Sequence, residues 1–170
     1  MKSSTREVNM KIKMYIQLMI SVLALLFSLD AEAVIQKFSL WINGSDITQT
    51  NILGETGGKG NIIGSYAPFL KNVSGPQEGY LVADQVLVMP EGPNNPEIRI
   101  ANMSFMFSNG DQIYVQGGNY FNPKDPGLIL GQPVSRVVSG GTGKFFGIRG
   151  QVIATRQLDG SYKYDFKIIK

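Results

Sequence analysis

Apolar and polar residues alternate along most of the chain beyond residue 33, with the period of two that is typical of β-strands. The clearest example is the C-terminal segment, in which apolar and charged residues take turns: Tyr162, Lys163, Tyr164, Asp165, Phe166, Lys167 and Ile168. Asp159-Gly160 stands directly before it and predicts a hairpin turn, because both positions tolerate positive φ. The segment 145–157 is therefore predicted to be its partner strand.

Six further segments are apolar or β-branched and are bounded by turn residues, which predicts strands. They lie at 34–42, 60–66, 80–89, 98–107, 112–115 and 134–139. Asn109-Gly110 predicts a second hairpin turn, and the proline-containing segments 90–96 and 121–132 predict loops. No segment after residue 33 has helical periodicity.

Eight short strands joined by hairpins are typical of a sandwich or a barrel. The up-and-down order favours an all-β fold, an eight-stranded antiparallel β-barrel, because closure leaves no exposed strand edges. The lumen of such a barrel is either filled by side chains or just wide enough for one small ligand. The strand at 80–89 is apolar on both faces, so its outer face is also expected to be covered, for example by a partner subunit.

The N-terminal segment has the three parts of a secretory signal. Four basic residues lie among its first 13, an apolar run follows over 14–29, and Ala31-Glu32-Ala33 has the small-x-small form of a cleavage site. The alternative is a membrane anchor, but the apolar run falls short of the ~20 residues that a span needs. We therefore predict a cleavable N-terminal signal helix over 1–33, cleavage near Ala33, and a secreted barrel domain over 34–170 that leaves the membrane.

The composition removes several kinds of chemistry. The chain has no histidine and no cysteine, which excludes histidine-assisted serine nucleophiles, cysteine nucleophiles and the usual zinc sites. We expect no metal and no cofactor. The segment 1–33 contributes +1 to the net charge of +3, because it holds four basic and three acidic residues. The remaining +2 is too small to indicate nucleic-acid binding.

A glycine-rich segment runs from Gly140 to Gly150. It does not fit a phosphate-binding loop around Lys144, because Val138 and Phe145 stand where glycine and serine or threonine are needed. It does not fit a dinucleotide-binding fingerprint either, since a strand follows it. The glycines favour a tight turn between two strands.

Three parts of the chain carry a family resemblance: 103–107 with Gly110, 140–145 with Arg149-Gly150, and 113–117 with 147–152. The first two resemble dirigent proteins, and the third is more similar to allene oxide cyclases. The resemblance covers roughly the C-terminal half of the chain. It implies an eight-stranded barrel with a ligand-holding lumen, and a homodimer or homotrimer.

The resemblance also implies a function. Dirigent proteins steer the coupling or cyclisation of phenolic intermediates, and allene oxide cyclases cyclise a fatty-acid epoxide; both hold an apolar substrate in one conformation. Orientation alone can lower a barrier substantially. We therefore predict an exported barrel that binds an apolar or phenolic small molecule and guides its cyclisation or stereoselective coupling. The alternatives are a non-catalytic lumenal carrier and a structural barrel with a filled lumen. Whether the chain is an enzyme stays open, because Trp41 stands where the cyclases carry a glutamate.

Two charged residues are the candidate catalytic groups. Asp84 lies in phase with Val82 and Val86, and a carboxylate on an inward apolar face would have a raised pKa and could act as an acid or base. Arg149 could anchor a carboxylate or phenolate, or make a structural ion pair. The candidate ligand-binding residues are Trp41, Asn43, Asn102, Tyr114, Gln116 and Tyr164. If Asp84, Asn102 and Arg149 all point outward, catalysis is disfavoured.

Overall fold

The computed structural model describes residues 10, 13–20, 34–90, 96–121 and 127–170. The chain divides into two compact units, Met1–Ala33 and Val34–Lys170. In the first unit, residues 13–20 are helical. No helix among the described residues is long and apolar enough to cross a membrane. Cleavage near Ala33 and secretion stay predictions.

The second unit consists of antiparallel strands. They are β1 (Ile35–Ile42), β2 (Thr48–Leu53), β3 (Ile62–Leu70), β4 (Gln77–Met89), β5 (Glu97–Phe107), β6 (Gln112–Phe121), β7 (Val134–Gly141), β8 (Arg149–Arg156) and β9 (Tyr162–Ile169). Single 3₁₀ turns occupy Gly44–Asp46, between β1 and β2, and Gly143–Phe145, between β7 and β8.

Pairing between β1 and β3 closes the sheet into a barrel. The strands follow the order β1-β9-β8-β7-β6-β5-β4-β3-β2, and Trp41 of β1 pairs with Leu70 of β3. After the 3₁₀ turn, β2 continues along the same neighbour, since Thr48 pairs with Tyr66 of β3. Strands β1 and β2 therefore share one position in the ring, and the predicted eight-stranded antiparallel barrel is confirmed.

The strand boundaries differ from the predicted ones in several places; β3, for example, continues to Leu70 rather than ending at residue 66. Strand β2 was not predicted, because its sequence is mostly polar and all its residues are exposed. Strand β6 continues to Phe121 rather than ending at residue 115. Strand β8 begins at Arg149 rather than at 145, because the glycine-rich segment forms the turn that joins it to β7. Parts of the two predicted loops, 91–95 and 122–126, lie outside the described residues.

An aromatic cluster fills one end of the barrel lumen. Its members are Phe38, Phe69, Phe105, Phe107, Phe145, Tyr164 and Phe166. Phe105 lies at its centre with 0% exposure, and its ring centroid is 5.1 Å from those of Tyr164 and Phe166. This end carries the turns that join β5 to β6 and β7 to β8. The predicted alternative of a filled lumen therefore describes only one part of the barrel.

Candidate functional site

The other part of the lumen is an open cavity of about 700 Å³. Its lining also includes Asn43, Gly44 and the Asp159-Gly160 turn, where Asp159 is exposed to solvent. Its apolar walls are formed by Ala67, Leu81, Ala83, Met103, Phe121 and Leu128. Its polar lining includes Gln85, Arg136, Arg156, Tyr162 and Tyr164. The volume falls in the usual range for small-molecule sites, about 300–1,000 Å³, and the mixture of apolar walls with a few polar groups is typical of them.

Arg136 is the most unusual residue of this cavity. It lies on β7 in phase with Val138, and only 4% of it is exposed. Its Nε and Nη1 atoms have no hydrogen-bond partner among the described residues. Gly117 faces it from β6, where an added Cβ would lie 3.0 Å from Cγ of Arg136. The missing side chain at Gly117 thus leaves room for the arginine stem.

The electrostatics around Arg136 follow from its burial. Desolvation lowers the pKa of the guanidinium from its ordinary value, and neighbouring Tyr164 acts in the opposite sense. An arginine side chain nevertheless remains protonated in proteins. The ion pairs recorded among the described residues join Arg99 to Glu97, Lys144 to Asp111 and Lys163 to Asp165. None of these three includes Arg136, so no carboxylate of the described residues pairs with this positive charge in the cavity wall.

Tyr164 lies beside this charge, in the wall between the cavity and the aromatic cluster. Burial raises the pKa of its hydroxyl, Arg136 lowers it to a smaller extent, and Tyr162 raises it. The phenol therefore stays neutral at physiological pH and can donate a hydrogen bond to a ligand. The predicted ligand-binding residue Tyr164 thus lies in the cavity wall.

The raised pKa of Tyr164 predicts how stability depends on alkaline pH. In the unfolded chain the phenol loses its proton near pH ~10, whereas the folded protein holds it to higher pH. The unfolded state then binds fewer protons, so the free energy of unfolding should fall as pH rises above about 10. Tyr164→Phe should make this fall shallower in urea unfolding measured at about pH 8 and pH 11. Equal slopes for both proteins would contradict the prediction.

Six of the eight predicted site residues lie outside the lumen: Trp41, Asp84, Asn102, Tyr114, Gln116 and Arg149. Side-chain alternation explains their position, since Asp84 stands between buried Ala83 and Gln85. Asn43, by contrast, lies at the cavity mouth, where its Nδ2 donates to Oδ2 of Asp46 at 3.0 Å.

The three residues on which the catalytic prediction depends are all exposed. Nδ2 of Asn102 donates to Oδ2 of Asp84 at 2.9 Å, and Nη1 of Arg149 donates to the carbonyl of Ile148 at 2.7 Å. None of the three lines the cavity, so we do not assign them to a lumenal reaction.

Four of the outward residues meet in a groove on the outer face. Asp84, Asn102, Tyr114 and Gln116 line it, together with Ile52 of β2, and its volume is about 590 Å³. Exposed apolar residues surround it on β3 to β7: Tyr66, Tyr80, Val82, Ile100, Met106 and Val137. This is the apolar outer face that the sequence predicts for β4. A homodimer or homotrimer stays a prediction.

Arg136 and Gln85 were not among the predicted site residues, although the position of each in its strand carries a signal. Both are polar residues at inward positions: Arg136 is in phase with Val138, and Gln85 is in phase with Leu81, Ala83 and Leu87. A polar residue within an apolar phase indicates either a satisfied core group or a lumenal site. Because β4 is apolar on both faces, the alternate residues that include Asp84 were predicted to face the lumen instead of those that include Gln85.

The fold and the cavity define the class of the chain as a closed eight-stranded β-barrel with a partly open lumen. No protein-family model matches the sequence, and no curated protein matches it. Among solved structures, the chain is similar to the pterocarpan synthase dirigent protein GePTS1, with 15% identity and a TM-score of 0.62 over 81% of this chain and 89% of that one. The pterocarpan synthase dirigent protein PsPTS1 matches with 14% identity and a TM-score of 0.54 over 82% and 95%.

A third structure is named pyocyanin demethylase. It has 14% identity and a TM-score of 0.56, over 78% of this chain and 99% of that one. At these identities the likeness concerns the fold. It confirms the eight-stranded barrel fold that the resemblance implies.

Proposed function

We propose that the protein is an exported barrel that binds a small apolar or phenolic molecule in its lumen and holds it in one orientation. The observation that carries this proposal is the 700 Å³ cavity, in which Arg136, Tyr164 and Gln85 face apolar walls. The names of the fold neighbours, a demethylase of pyocyanin and two pterocarpan synthases, support small-molecule chemistry in this kind of barrel.

The described lining supports orientation more than proton abstraction. Asp159 is the only carboxylate among the described lining residues, and it lies at the mouth. It accepts hydrogen bonds from the backbone N–H of Ser161 at 2.9 Å and from its Oγ at 2.7 Å. Those two bonds lower the pKa of Asp159. Any guided cyclisation or coupling would therefore depend on positioning and on charge stabilisation by Arg136.

A carrier without catalysis is the second candidate. The exposure of Asp84, Asn102 and Arg149 favours it, because these were the groups from which a reaction was expected. Recovering the bound molecule chemically unchanged after prolonged incubation would select the carrier, and recovering a cyclised or coupled product would select the guiding role.

Blocking the cavity tests the lumenal site directly. Ala83 and Val82 are neighbours on β4 that face opposite sides: Ala83 lines the cavity, and Val82 is exposed. Ala83→Phe should fill the cavity and abolish binding of 2-naphthol in isothermal titration calorimetry, because a ligand site of this size depends on its shape. Val82→Phe adds a similar bulk on the outer face and should leave binding unchanged.

Two results would count against the lumenal site. Equal binding by both variants would show that the probe does not enter the lumen. Loss of binding in Val82→Phe alone would indicate that the probe binds in the outer groove. Thermal unfolding of both variants checks that each is folded before the titrations are compared.

A further inference from the structure

Arg136 is a buried charge that the described part of the protein does not neutralise. An unpaired charge in a poorly solvated site is costly, and proteins normally pair such groups or bind ions with them. The residues around Arg136 accommodate its side chain without neutralising its charge, since Gly117 leaves space for the stem and Tyr164 offers a neutral hydroxyl. A group of opposite charge from outside the protein would complete the site.

The charges that face the cavity favour an anion. Among the described lining residues they are Arg136, Arg156 and Asp159. Arg156 has an interaction of its own, and the carboxylate of Asp159 is engaged by Ser161 within its own turn. Nε and Nη1 of Arg136 are buried and have no hydrogen-bond partner among the described residues. A guanidinium binds planar oxyanions best, because several of its N–H groups can donate to one carboxylate.

We infer that the lumen selects ligands with an apolar body and one carboxylate, which pairs with Arg136. This inference rests on the proposed lumenal site and specifies the chemistry of its occupant. A carboxylate is ionised at neutral pH without help, whereas a phenol must first lose a proton. The remaining walls, Leu81, Ala83 and Met103 among them, then contact the apolar body.

The test compares two probes that differ in charge but hardly in shape, naphthalene-2-carboxylate and naphthalene-2-carboxamide. Calorimetric titration of the purified protein at pH 7 should show the carboxylate binding at least about tenfold more tightly, as expected for a charge-assisted hydrogen bond. Arg136→Met should abolish this preference by weakening only the carboxylate. Arg149→Met, which removes an exposed arginine of β8, should keep it.

A second measurement separates ligand binding from a structural role. Methionine is similar in length to the arginine stem and carries no charge, so Arg136→Met should raise the thermal midpoint of the ligand-free protein. It should also remove the stabilisation that the carboxylate gives the wild type. An arginine that merely supports the fold would lower the midpoint when replaced.

Each outcome of the probe comparison decides something. Equal affinity of the wild type for carboxylate and carboxamide would overturn the inference, and this comparison does not require the variant to fold. Binding of 2-naphthol without binding of the carboxylate would overturn it and leave the lumenal site standing. If Ala83→Phe failed to affect any probe, the proposed function itself would fail.

Discussion

Phe105→Ala is expected to lower the free energy of unfolding by about 3–5 kcal/mol, the usual cost of truncating a fully buried aromatic side chain. Phe105 is 0% exposed and contacts the rings of Phe69, Tyr164 and Phe166. Its removal leaves a hole in the middle of the aromatic cluster that no single neighbour can fill. Guanidinium chloride unfolding at 25 °C, analysed by linear extrapolation, measures the loss.

Phe146→Ala is the matched control for this prediction. Phe146 is 77% exposed, so its truncation should change stability by no more than about 0.5 kcal/mol. A loss of less than about 1.5 kcal/mol for Phe105→Ala would show that the cluster rearranges easily and does not hold the closed end together.

Gly79→Ala is expected to be similarly damaging although it adds only one methyl group. Gly79 of β4 pairs with Phe107 of β5. A Cβ at this position would overlap the carbonyl oxygen of Met106 and lie 2.8 Å from both Cα of Phe107 and Cζ of Phe69. Relief requires the backbones of two strands to separate, so we expect a cost at or above the upper end of the usual 1–3 kcal/mol range for overpacking, roughly 3 kcal/mol.

Gly118→Ala provides the contrast, because it also adds a methyl group to a strand. There the nearest described atom would be the carbonyl oxygen of Arg99 at 3.7 Å, an ordinary contact. This variant should be neutral or stabilised by up to about 1 kcal/mol, through reduced freedom of the unfolded chain. Equal unfolding midpoints for the two variants would contradict the steric argument.

The periodicity of the sequence predicted most of the barrel. Tyr162, Tyr164 and Phe166 form one buried face of β9, as their spacing indicates. Turns occur at Asn109-Gly110 and Asp159-Gly160 as predicted, with positive φ at Gly110 and Gly160 but not at Asn109 and Asp159. Strand β2 was not predicted because its residues are mostly polar and all exposed, so they show no apolar alternation. It is defined only by hydrogen bonds to β3, a partner that lies farther along the chain.

The site was harder to predict than the fold because it depends on which face of each strand points inward. Strand β4 is apolar on both faces. A period of two tells which residues share a face, but not which face points into the lumen. Closure of the barrel places Ala83 and Gln85 inside and Asp84 outside. Arg136 occupies a short strand with little pattern of its own, so its position depends on contacts with β6 and β8.

The aromatic cluster at one end of the barrel limits how a ligand can enter and leave the lumen. Among the described residues, this cluster fills the end of the lumen that carries the β5–β6 and β7–β8 turns, and the cavity lies in the remaining part. A molecule bound in the cavity therefore cannot leave through the filled end of the barrel. Substitutions where the cavity meets solvent should therefore change the rates of ligand binding and release together, and leave the affinity nearly constant.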